Sequence, residues 1–348
     1  MLTTAVEFAT SALAEIEAFV FSAAALRMDA AAEIKKISGS IRESVLKRFR
    51  RRGVVLGLSG GIDSSVTAGL AAEAVGPKRV LGVLMPEKDS DPESLRLGKL
   101  VADRFGIETV VEDIAPMLAA GGCYQRRDAA IREIVPEFGE GWGCKVVIRN
   151  ALEGKGFNIT SLVVQDPAGN QRTERMPLSV YLAVIAATNM KQRTRKLLEY
   201  THADRLNYAV AGTPNRLEYD QGFFVKNGDG AADFKPIAHL YKTQVYQLAE
   251  ALGVPEEIRV RPPTTDTWSL AQGQDEFYFS LPWDRMDLCL FGLNHNLPLQ
   301  VVGAAAGLTA EQVRHVWDDI AAKRKATAYL HERPLLVEPV LAAAMVDA

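Results

Sequence analysis

Residues 54–65 read VVLGLSGGIDSS, an apolar run that passes into a loop rich in glycine and serine. The run Val54 to Leu58 is short and contains β-branched residues, which predicts a buried strand. Gly60 and Gly61 let the backbone approach a ligand closely, and Val66 to Val75 is predicted to be the following helix. Backbone N–H groups at such a junction bind anions, so the stretch predicts a phosphate site.

Strands and helices alternate on both sides of this loop. The predicted elements are helices at 30–51, 94–105, 180–202 and 243–252, and strands at 80–85, 108–111 and 206–211. This alternation is typical of a parallel sheet with right-handed crossovers. The expected fold class is therefore α/β, a doubly wound parallel sheet with flanking helices, in which the ligand lies beyond the carboxyl ends of the strands.

The chain is predicted to have four parts. These are N-terminal helices in 1–52, a core formed by 53–120 and 179–280, an insertion at 121–178, and a mainly helical C-terminal region in 281–348. The insertion is expected to contain a β-hairpin, because 158–165 and 171–176 have strand character and flank the turn residues of 166–170.

Composition excludes several classes of protein. The 348 residues carry a formal net charge of -3, which favours neither a nucleic-acid partner nor a membrane surface. The three cysteines form no CxxC pair, which is typical of a reduced compartment. Met1 to Met28 includes Glu7, Glu15 and Glu17 and lacks the basic start of a signal peptide, so we expect an amphipathic helix and a cytoplasmic protein.

The side chains of the loop at 59–65 indicate which phosphate ligand it would bind. Ser59, Ser64 and Ser65 offer hydroxyl donors, whereas the Asp63 carboxylate would repel a phosphate unless a cation lay between them. The loop therefore predicts magnesium pyrophosphate as its ligand. It has neither the spacing nor the lysine of GxxxxGK[ST], and it is not GxGxxG.

A resemblance to known enzymes follows from these residues. SGGIDSS at 59–65 resembles the SGGxDS loop of the ATP pyrophosphatases, which cleave ATP between the α and β phosphates. The second half of the chain resembles the NAD synthetase family in particular. The matching segments are 189–195, 212–218, 222–233, 236–245, 252–255, 262–266 and 274–276.

The resemblance implies a two-step amide synthesis. The carboxylate of nicotinic acid adenine dinucleotide attacks the α-phosphate of ATP and releases pyrophosphate. Ammonia then displaces AMP from the adenylate and gives the amide of NAD. Adenylation is needed because a carboxylate accepts ammonia poorly until its oxygen becomes a good leaving group. The protein supplies positioning and charge neutralisation.

The resemblance also implies roles for individual residues. Asp63 and Glu218 hold Mg²⁺, while Lys242 and Thr264 contact the ATP phosphates. Asp229 lies near the acceptor carboxylate and the ammonia, with Lys226 beside it. The nucleotides are bound by Ser59, Gly60, Gly61, Ser64, Ser65, Arg193, Arg195 and Thr213.

The chain departs from the family pattern on the acceptor side. Val225 replaces a threonine and Asn227 a tyrosine, Trp268 lies near a family Asp-Leu pair, and the insertion at 121–178 is longer than usual. The true acceptor therefore stays open. Members with a glutaminase domain need a few hundred residues before the loop, but 58 precede it here. Ammonia is thus expected to come free or from a separate glutamine amidotransferase.

The sequence also permits other hypotheses about the function. One is an amide synthetase of the same chemistry acting on another carboxylic acid. A second is a nucleotide-binding protein without turnover, against which Asp63, Glu218 and Lys242 argue. A tRNA-thiolating relative would need clustered cysteines and a basic face, which the sequence lacks. The family is typically homodimeric, so we expect a homodimer.

Overall fold

The computed structural model describes residues 21–148, 160–265, 267–338 and 340. The amphipathic helix predicted for 1–28 therefore lies mostly outside the described residues, as do residues 158 and 159 of the predicted hairpin and Asp266 of the 262–266 motif. Within the described start of the chain, Ala23–Leu26 form one turn of 3-10 helix.

Seven strands and twelve α-helices are described. The strands are β1 (Val54–Gly57), β2 (Val80–Leu84), β3 (Glu108–Val111), β4 (Gly143–Ile148), β5 (Thr160–Gln165), β6 (Gln171–Arg175) and β7 (Ala209–Val210). The helices are α1 (Ala30–Arg42), α2 (Ile62–Val75), α3 (Pro92–Phe105), α4 (Ala115–Ala120), α5 (Cys123–Arg132), α6 (Leu178–Leu206), α7 (Arg216–Gln221), α8 (Lys242–Leu252), α9 (Glu256–Arg259), α10 (Trp283–Asn294), α11 (Leu299–Ala306) and α12 (Ala310–His331).

The main sheet is parallel and has the order β3-β2-β1-β7. Val54 in β1 pairs with Val80 in β2 and with Ala209 in β7. The first three residues of β1 and all of β2 are buried, as expected for strands covered by helices on both faces. The predicted α/β class with a wound parallel sheet is confirmed, and the carboxyl ends of its strands meet at one edge.

Three predicted element boundaries were wrong. Helix α2 begins at Ile62 and not at Val66, because Gly61 is the N-cap and Asp63 suits the positive end of the helix dipole. The single helix predicted for 30–51 changes to a π-helix over Glu43–Arg48. Strand β7 keeps only two of the six predicted residues, because α6 extends to Leu206 and ends at Asn207, whose φ is 57°.

A second, antiparallel sheet contains β4, β5 and β6 in that order. The predicted hairpin is confirmed, and its turn is held by the Asn170 N–H donating to Asp166 Oδ1 at 2.9 Å. The prediction missed β4, although its Cys144 and Val146 alternate with less buried residues. The buried face of this sheet packs against α5 and α6 through residues such as Ile131 and Val184.

The C-terminal helices α10, α11 and α12 pack around a separate apolar cluster that includes Leu290, Val302 and Val313. This agrees with the mainly helical character predicted there, while the boundaries of the four predicted parts stay predictions. Among the residues that the structure describes, no helix combines the length and the apolar character needed to span a membrane.

Candidate functional site

The carboxyl ends of β1 and β2 open into a cleft with two adjoining cavities. The smaller measures about 220 Å³ and has β1, β2 and α6 in its walls; we call it the strand-end cavity. The larger measures about 470 Å³ and lies between the first turn of α2, the 222–229 loop and α12; we call it the aromatic cavity. Residues that line both are Ser59, Ser64, Ser94, Gln192, Thr213, Asp229, Thr264 and Thr265.

The glycine-rich loop between β1 and α2 lies where the two cavities meet. Gly60 has a φ of 75°, and a Cβ there would lie 2.6 Å from Leu97 Cβ and 2.9 Å from the Gly98 nitrogen. Only glycine fits this conformation and this close approach to α3. Gly61 is the N-cap of α2, so the unpaired N–H groups and the positive helix end lie at the loop, as an anion site requires.

The serines of the loop have different positions. Ser59 Oγ lies 3.2 Å from Ser64 Oγ, and both residues line both cavities. Ser65 is fully buried, donates its hydroxyl to the Gly61 carbonyl oxygen at 2.7 Å, and lines neither cavity. The structure therefore brings Ser59, Gly60, Gly61 and Ser64 to the cleft but places Ser65 beneath the loop.

A group of charged side chains lies at the floor of the aromatic cavity. Lys242, the first residue of α8, is 1% exposed and forms an ion pair with Asp63 Oδ2. Asp63 Oδ1 accepts a hydrogen bond from Asn215 Nδ2 at 3.1 Å. Glu218 caps the start of α7 by accepting from the Asn215 N–H at 3.1 Å, and also accepts from Gln274 Nε2 at 3.1 Å. Predicted residues from three helices thus meet at one point.

The electrostatics of this group follow from burial and from its uneven charge. Burial and the nearby Asp63 carboxylate raise the pKa of Glu218 above its ordinary value. Burial alone would lower the pKa of Lys242, but the charges of Asp63 and Glu218 outweigh it and raise that pKa. Two carboxylates therefore share one ammonium, and the site favours additional positive charge.

The donor set of the site matches a magnesium ion that is also bound by a phosphate. Mg²⁺ commonly binds one or two carboxylates and completes its shell with water and phosphate oxygens. Asp63 and Glu218 supply two carboxylates beside the anion-binding end of α2. The described part of the chain contains no group of three or more acidic, histidine or cysteine residues arranged for a metal. Asp63 and Glu218 thus fit a metal that arrives with its phosphate ligand.

The remaining predicted residues surround the junction of the two cavities. Thr213, Thr264 and Asp229 line both cavities. Asp229 Oδ1 accepts from the Val225 N–H at 2.8 Å, and burial raises the pKa of its carboxyl group. Lys226 lines the aromatic cavity, but its ammonium donates to the Tyr329 carbonyl oxygen at 2.6 Å, near the end of α12.

The two predicted arginines lie in different cavities. Arg195 lines the strand-end cavity, where it lies close enough to Asp229 to act on its charge. Arg193 lines the aromatic cavity, and its Nε donates to the Lys226 carbonyl oxygen at 3.3 Å. The two positions, two residues apart on α6, therefore lie in the walls of adjoining pockets.

The sequence prediction missed a buried ion pair in the strand-end cavity. Lys196 and Glu199 are each 6% exposed, and Lys196 Nζ lies 2.6 Å from Glu199 Oε2. Gly57 at the end of β1 makes room for them, since a Cβ there would lie 2.9 Å from Glu199 Oε1. Their spacing of three residues on a helix, directly after Arg195, was the available signal.

Phe277 to Phe279 depart from the family pattern, but the sequence did not predict that aromatic side chains form a wall of the larger cavity. Phe223 stacks on Tyr278 with ring centroids 4.7 Å apart and meets Phe277 edge to face at 5.8 Å. The aromatic residues that line this cavity are Tyr181, Phe223, Phe224, Phe277, Tyr278 and Tyr329. An apolar wall facing a charged floor suits a ligand with planar rings and anionic groups.

The chain is similar to known proteins in sequence and in fold. A sequence model of the family described as NAD synthase matches residues 33–135 and 148–327. The chain is 70% identical over 321 residues to an ammonia-dependent NAD synthetase from Rhizobium meliloti strain 1021, covering 92% of this chain and 96% of the relative. It is 64% identical over 319 residues to the protein of that description from Rhizobium rhizogenes strain K84, with 92% and 96% covered.

The fold also has a solved counterpart. The structure of an ammonia-dependent NAD synthetase from Campylobacter jejuni superposes with a TM-score of 0.59, covering 90% of this chain and 100% of that one. The two sequences are 21% identical, so this likeness concerns the fold. It places the parallel sheet and its flanking helices in the same architecture.

Proposed function

Because the chain belongs to the NAD synthase family, we propose that its two-cavity cleft carries out both steps of ammonia-dependent NAD synthesis. The activity is that of an ATP-dependent carbon–nitrogen ligase. In the first step a carboxylate oxygen of nicotinic acid adenine dinucleotide attacks the α-phosphorus of ATP, and pyrophosphate leaves. In the second step the ammonia nitrogen attacks the acyl carbon, AMP leaves, and one proton is released. The single observation that carries the proposal is the meeting of Asp63, Glu218 and Lys242 beside the anion-binding loop.

ATP is assigned to the strand-end cavity and the loop beside it. The cavity lies beyond the carboxyl ends of β1 and β2, where wound parallel sheets bind nucleotides. The helix end at Gly61, with Ser59 and Ser64, would hold the pyrophosphate group. Lys242, which forms an ion pair with Asp63, would stabilise the negative charge that builds up on the departing pyrophosphate.

Magnesium is the second part of the proposal. Asp63 and Glu218 would hold Mg²⁺, which neutralises phosphate charge when it is bound. The raised pKa of Glu218 supports this assignment, because a carboxylate that resists ionisation beside another carboxylate gains most from a nearby cation. Lys242 supplies part of that positive charge from the protein itself.

The acceptor is assigned to the aromatic cavity. Its aromatic wall would contact the planar rings of the dinucleotide, and Arg193 and Lys226 would face its phosphates. Asp229 lines both cavities, so it lies where the acceptor carboxylate and the α-phosphate would meet. Its raised pKa makes Asp229 a better proton acceptor, and we assign it the proton released when ammonia attacks.

The proposed function is tested with the purified protein and defined substrates. ATP, Mg²⁺, nicotinic acid adenine dinucleotide and ammonium should give NAD, AMP and pyrophosphate in equal amounts, whereas glutamine in place of ammonium should give none. Pyrophosphate release with other carboxylic acids but not with this dinucleotide would assign another acceptor. ATP binding without AMP formation would indicate a protein without turnover. Restoration of glutamine use by an added amidotransferase would identify a partner enzyme.

A cytoplasmic homodimer completes the proposal. Leu178 and Leu182, one turn apart near the start of α6, are 71% and 55% exposed, which supports an interface on this helix. Light scattering coupled to size exclusion should give twice the chain mass of 38.0 kDa. A monomer at micromolar concentration would contradict the dimer while leaving the assigned chemistry unaffected.

A further inference from the structure

A cluster of four buried charged residues and one tyrosine lies beside the strand-end cavity, outside the reaction site described above. We call it the Lys191 cluster, and its members are Glu87, Asp89, Tyr124, Arg127 and Lys191. All five are at most 9% exposed. They come from three separate segments: the loop after β2, helix α5, and helix α6. Charged residues are rarely buried in such numbers unless they are paired, so contacts among these side chains must offset the cost of their burial.

Lys191 is the centre of the cluster. It is 1% exposed, and its ammonium donates three hydrogen bonds. The acceptors are Glu87 Oε1 at 2.8 Å, Asp89 Oδ2 at 2.6 Å and the Thr267 carbonyl oxygen at 2.8 Å. All three protons of the ammonium group are therefore used, and the side chain joins the loop after β2 to the loop around Thr267.

Helix α5 completes the cluster from the other side. Arg127 forms ion pairs with Asp89 and Asp128, and Tyr124 Oη donates to Glu87 Oε2 at 2.8 Å. Burial would raise the pKa of Asp89, but the charges of Lys191 and Arg127 outweigh it and keep that pKa below its ordinary value. Each of the five side chains therefore makes a hydrogen bond or an ion pair to another member, which favours one arrangement of the cluster.

The two loops that the cluster holds both reach the strand-end cavity. Ser90, whose hydroxyl accepts from the Glu87 N–H at 3.2 Å, lines that cavity together with Asp91. On the other side, Thr267 Oγ1 donates to the Thr265 carbonyl oxygen at 2.7 Å, and Thr264 and Thr265 line the cavity. Each loop is thus held by the cluster at a residue no more than three positions along the chain from a residue that lines the cavity.

We propose that Lys191, Arg127 and Tyr124 are positioning residues that hold these two loops in the shape that binds ATP. Helix α5, which belongs to the predicted insertion, then serves the nucleotide side of the cleft. The inference rests on the proposed assignment of ATP to the strand-end cavity. A cluster with a purely structural role would lower thermal stability and leave the affinity of the folded protein for ATP unchanged.

Steady-state kinetics of four variants, with both substrates varied, test the inference. Lys191→Met should raise KM for ATP at least tenfold, with a smaller rise in KM for the acceptor dinucleotide, because Thr264 and Thr265 line both cavities, and with kcat changed less than threefold. Tyr124→Phe removes one hydroxyl and no charge, and should raise KM for ATP about threefold. Arg127→Lys keeps the charge, and its rise in KM for ATP should lie between those of Lys191→Met and Tyr124→Phe. Arg132→Met is the matched control, because Arg132 lies on the same helix and donates to the Phe138 carbonyl oxygen at 2.8 Å, away from both loops.

Calorimetric titration with a non-hydrolysable ATP analogue separates the possible outcomes. Weaker binding by the folded variants, at a temperature well below their Tm, supports the inference. Unchanged affinity in Lys191→Met and Tyr124→Phe overturns it, even if Tm falls. If Lys191→Met does not fold, Tyr124→Phe and Arg127→Lys decide by the same criterion. If the wild-type chain binds no ATP, the proposed function fails first and the inference falls with it.

Discussion

The strand-end cavity and the aromatic cavity share a border but are built differently. The strand-end cavity is formed by strand ends, one long helix and the loops around Ser90 and Thr264, and the buried Lys196–Glu199 ion pair shapes its wall. The aromatic cavity is assembled from the first turn of α2 and its loop together with short segments between residues 181 and 330, and ring stacking shapes its wall. The first is suited to a fixed, highly charged ligand, and the second to a ligand chosen by shape. Substitutions should therefore affect the two substrates separately.

The largest effect is expected from Lys242→Met, at the charged floor of the aromatic cavity. The change leaves Asp63 and Glu218 without their shared cation and removes the charge that would stabilise pyrophosphate. We expect kcat to fall by about 10³-fold, in line with the loss of a preorganised charge at a transition state. Lys47→Met is the control, since Lys47 is an exposed lysine 4.0 Å from Glu43. A decrease of less than tenfold would contradict the role of Lys242.

The second-largest effect is expected from Glu218→Gln, and its effect on stability depends on pH. A raised pKa means that the folded protein without ligand favours the protonated carboxyl group. The stabilisation of the folded state by the protonated Glu218 carboxyl group is complete below its ordinary pKa of 4.5 and is lost as pH rises through its raised pKa. Glu218→Gln removes this dependence. The Tm of the variant minus the Tm of the wild type should therefore increase by about 2–4 °C between pH 5 and pH 8.

The same variant should lose activity, because a neutral amide would replace one of the two carboxylates proposed for Mg²⁺. We expect about a 10²-fold lower kcat and a higher Mg²⁺ concentration for half-maximal rate. Thermal melting without magnesium and a magnesium titration of the rate measure the two effects. Parallel pH curves of Tm for wild type and variant would contradict the raised pKa, and an unchanged magnesium requirement would contradict the metal site.

A smaller effect, confined to one substrate, is expected from Phe277→Ala. The phenyl ring lines the aromatic cavity and meets Phe223 edge to face, so its loss would remove apolar contact with the acceptor proposed to bind there. KM for the acceptor dinucleotide should rise about tenfold, which corresponds to roughly 1.4 kcal/mol. KM for ATP should stay within twofold and serves as the internal control. An equal rise in both KM values would show that the two cavities do not act separately.

The smallest effect is expected from Ser65→Ala. This hydroxyl is buried and donates to the Gly61 carbonyl oxygen without lining either cavity. Its loss should lower the free energy of unfolding by about 1 kcal/mol and leave kcat/KM within twofold. Ser64→Ala is the matched comparison, since Ser64 lines both cavities and should lower kcat/KM at least fivefold. A large loss of activity in Ser65→Ala would instead support the predicted contact with pyrophosphate.

The sequence predicted those features that depend on neighbouring residues. Glu108–Val111 is found at its predicted bounds, and the loop at 59–65 joins a strand to a helix as expected. These signals are local, because strand character and glycine-rich turns are visible within a few positions. The grouping of Asp63, Glu218 and Lys242 came from family resemblance, since no periodicity relates residues so far apart in the chain.

Other features depend on tertiary contacts and were missed for that reason. The Lys191 cluster joins residues 87 and 89 to 127 and 191, and each charge alone resembles an ordinary surface residue. The assembly of the aromatic wall was not predicted either, because Phe223 and Phe277 are 54 positions apart and meet only in the folded chain. Strand β4 was overlooked because its partner β5 follows only after an intervening stretch of 11 residues.

The pairing of β1 with β7 has a consequence for synthesis on the ribosome. Val54 pairs with Ala209, so the strand before the phosphate loop must wait for its second neighbour while roughly 150 more residues are made. At about 5–20 residues per second this takes on the order of 10–30 s. During that time Thr213 and Lys242 have not yet joined the cleft. A nascent chain thus contains the glycine-rich loop well before the proposed nucleotide site is complete, and on that assignment ATP would stabilise only the late stages of its folding.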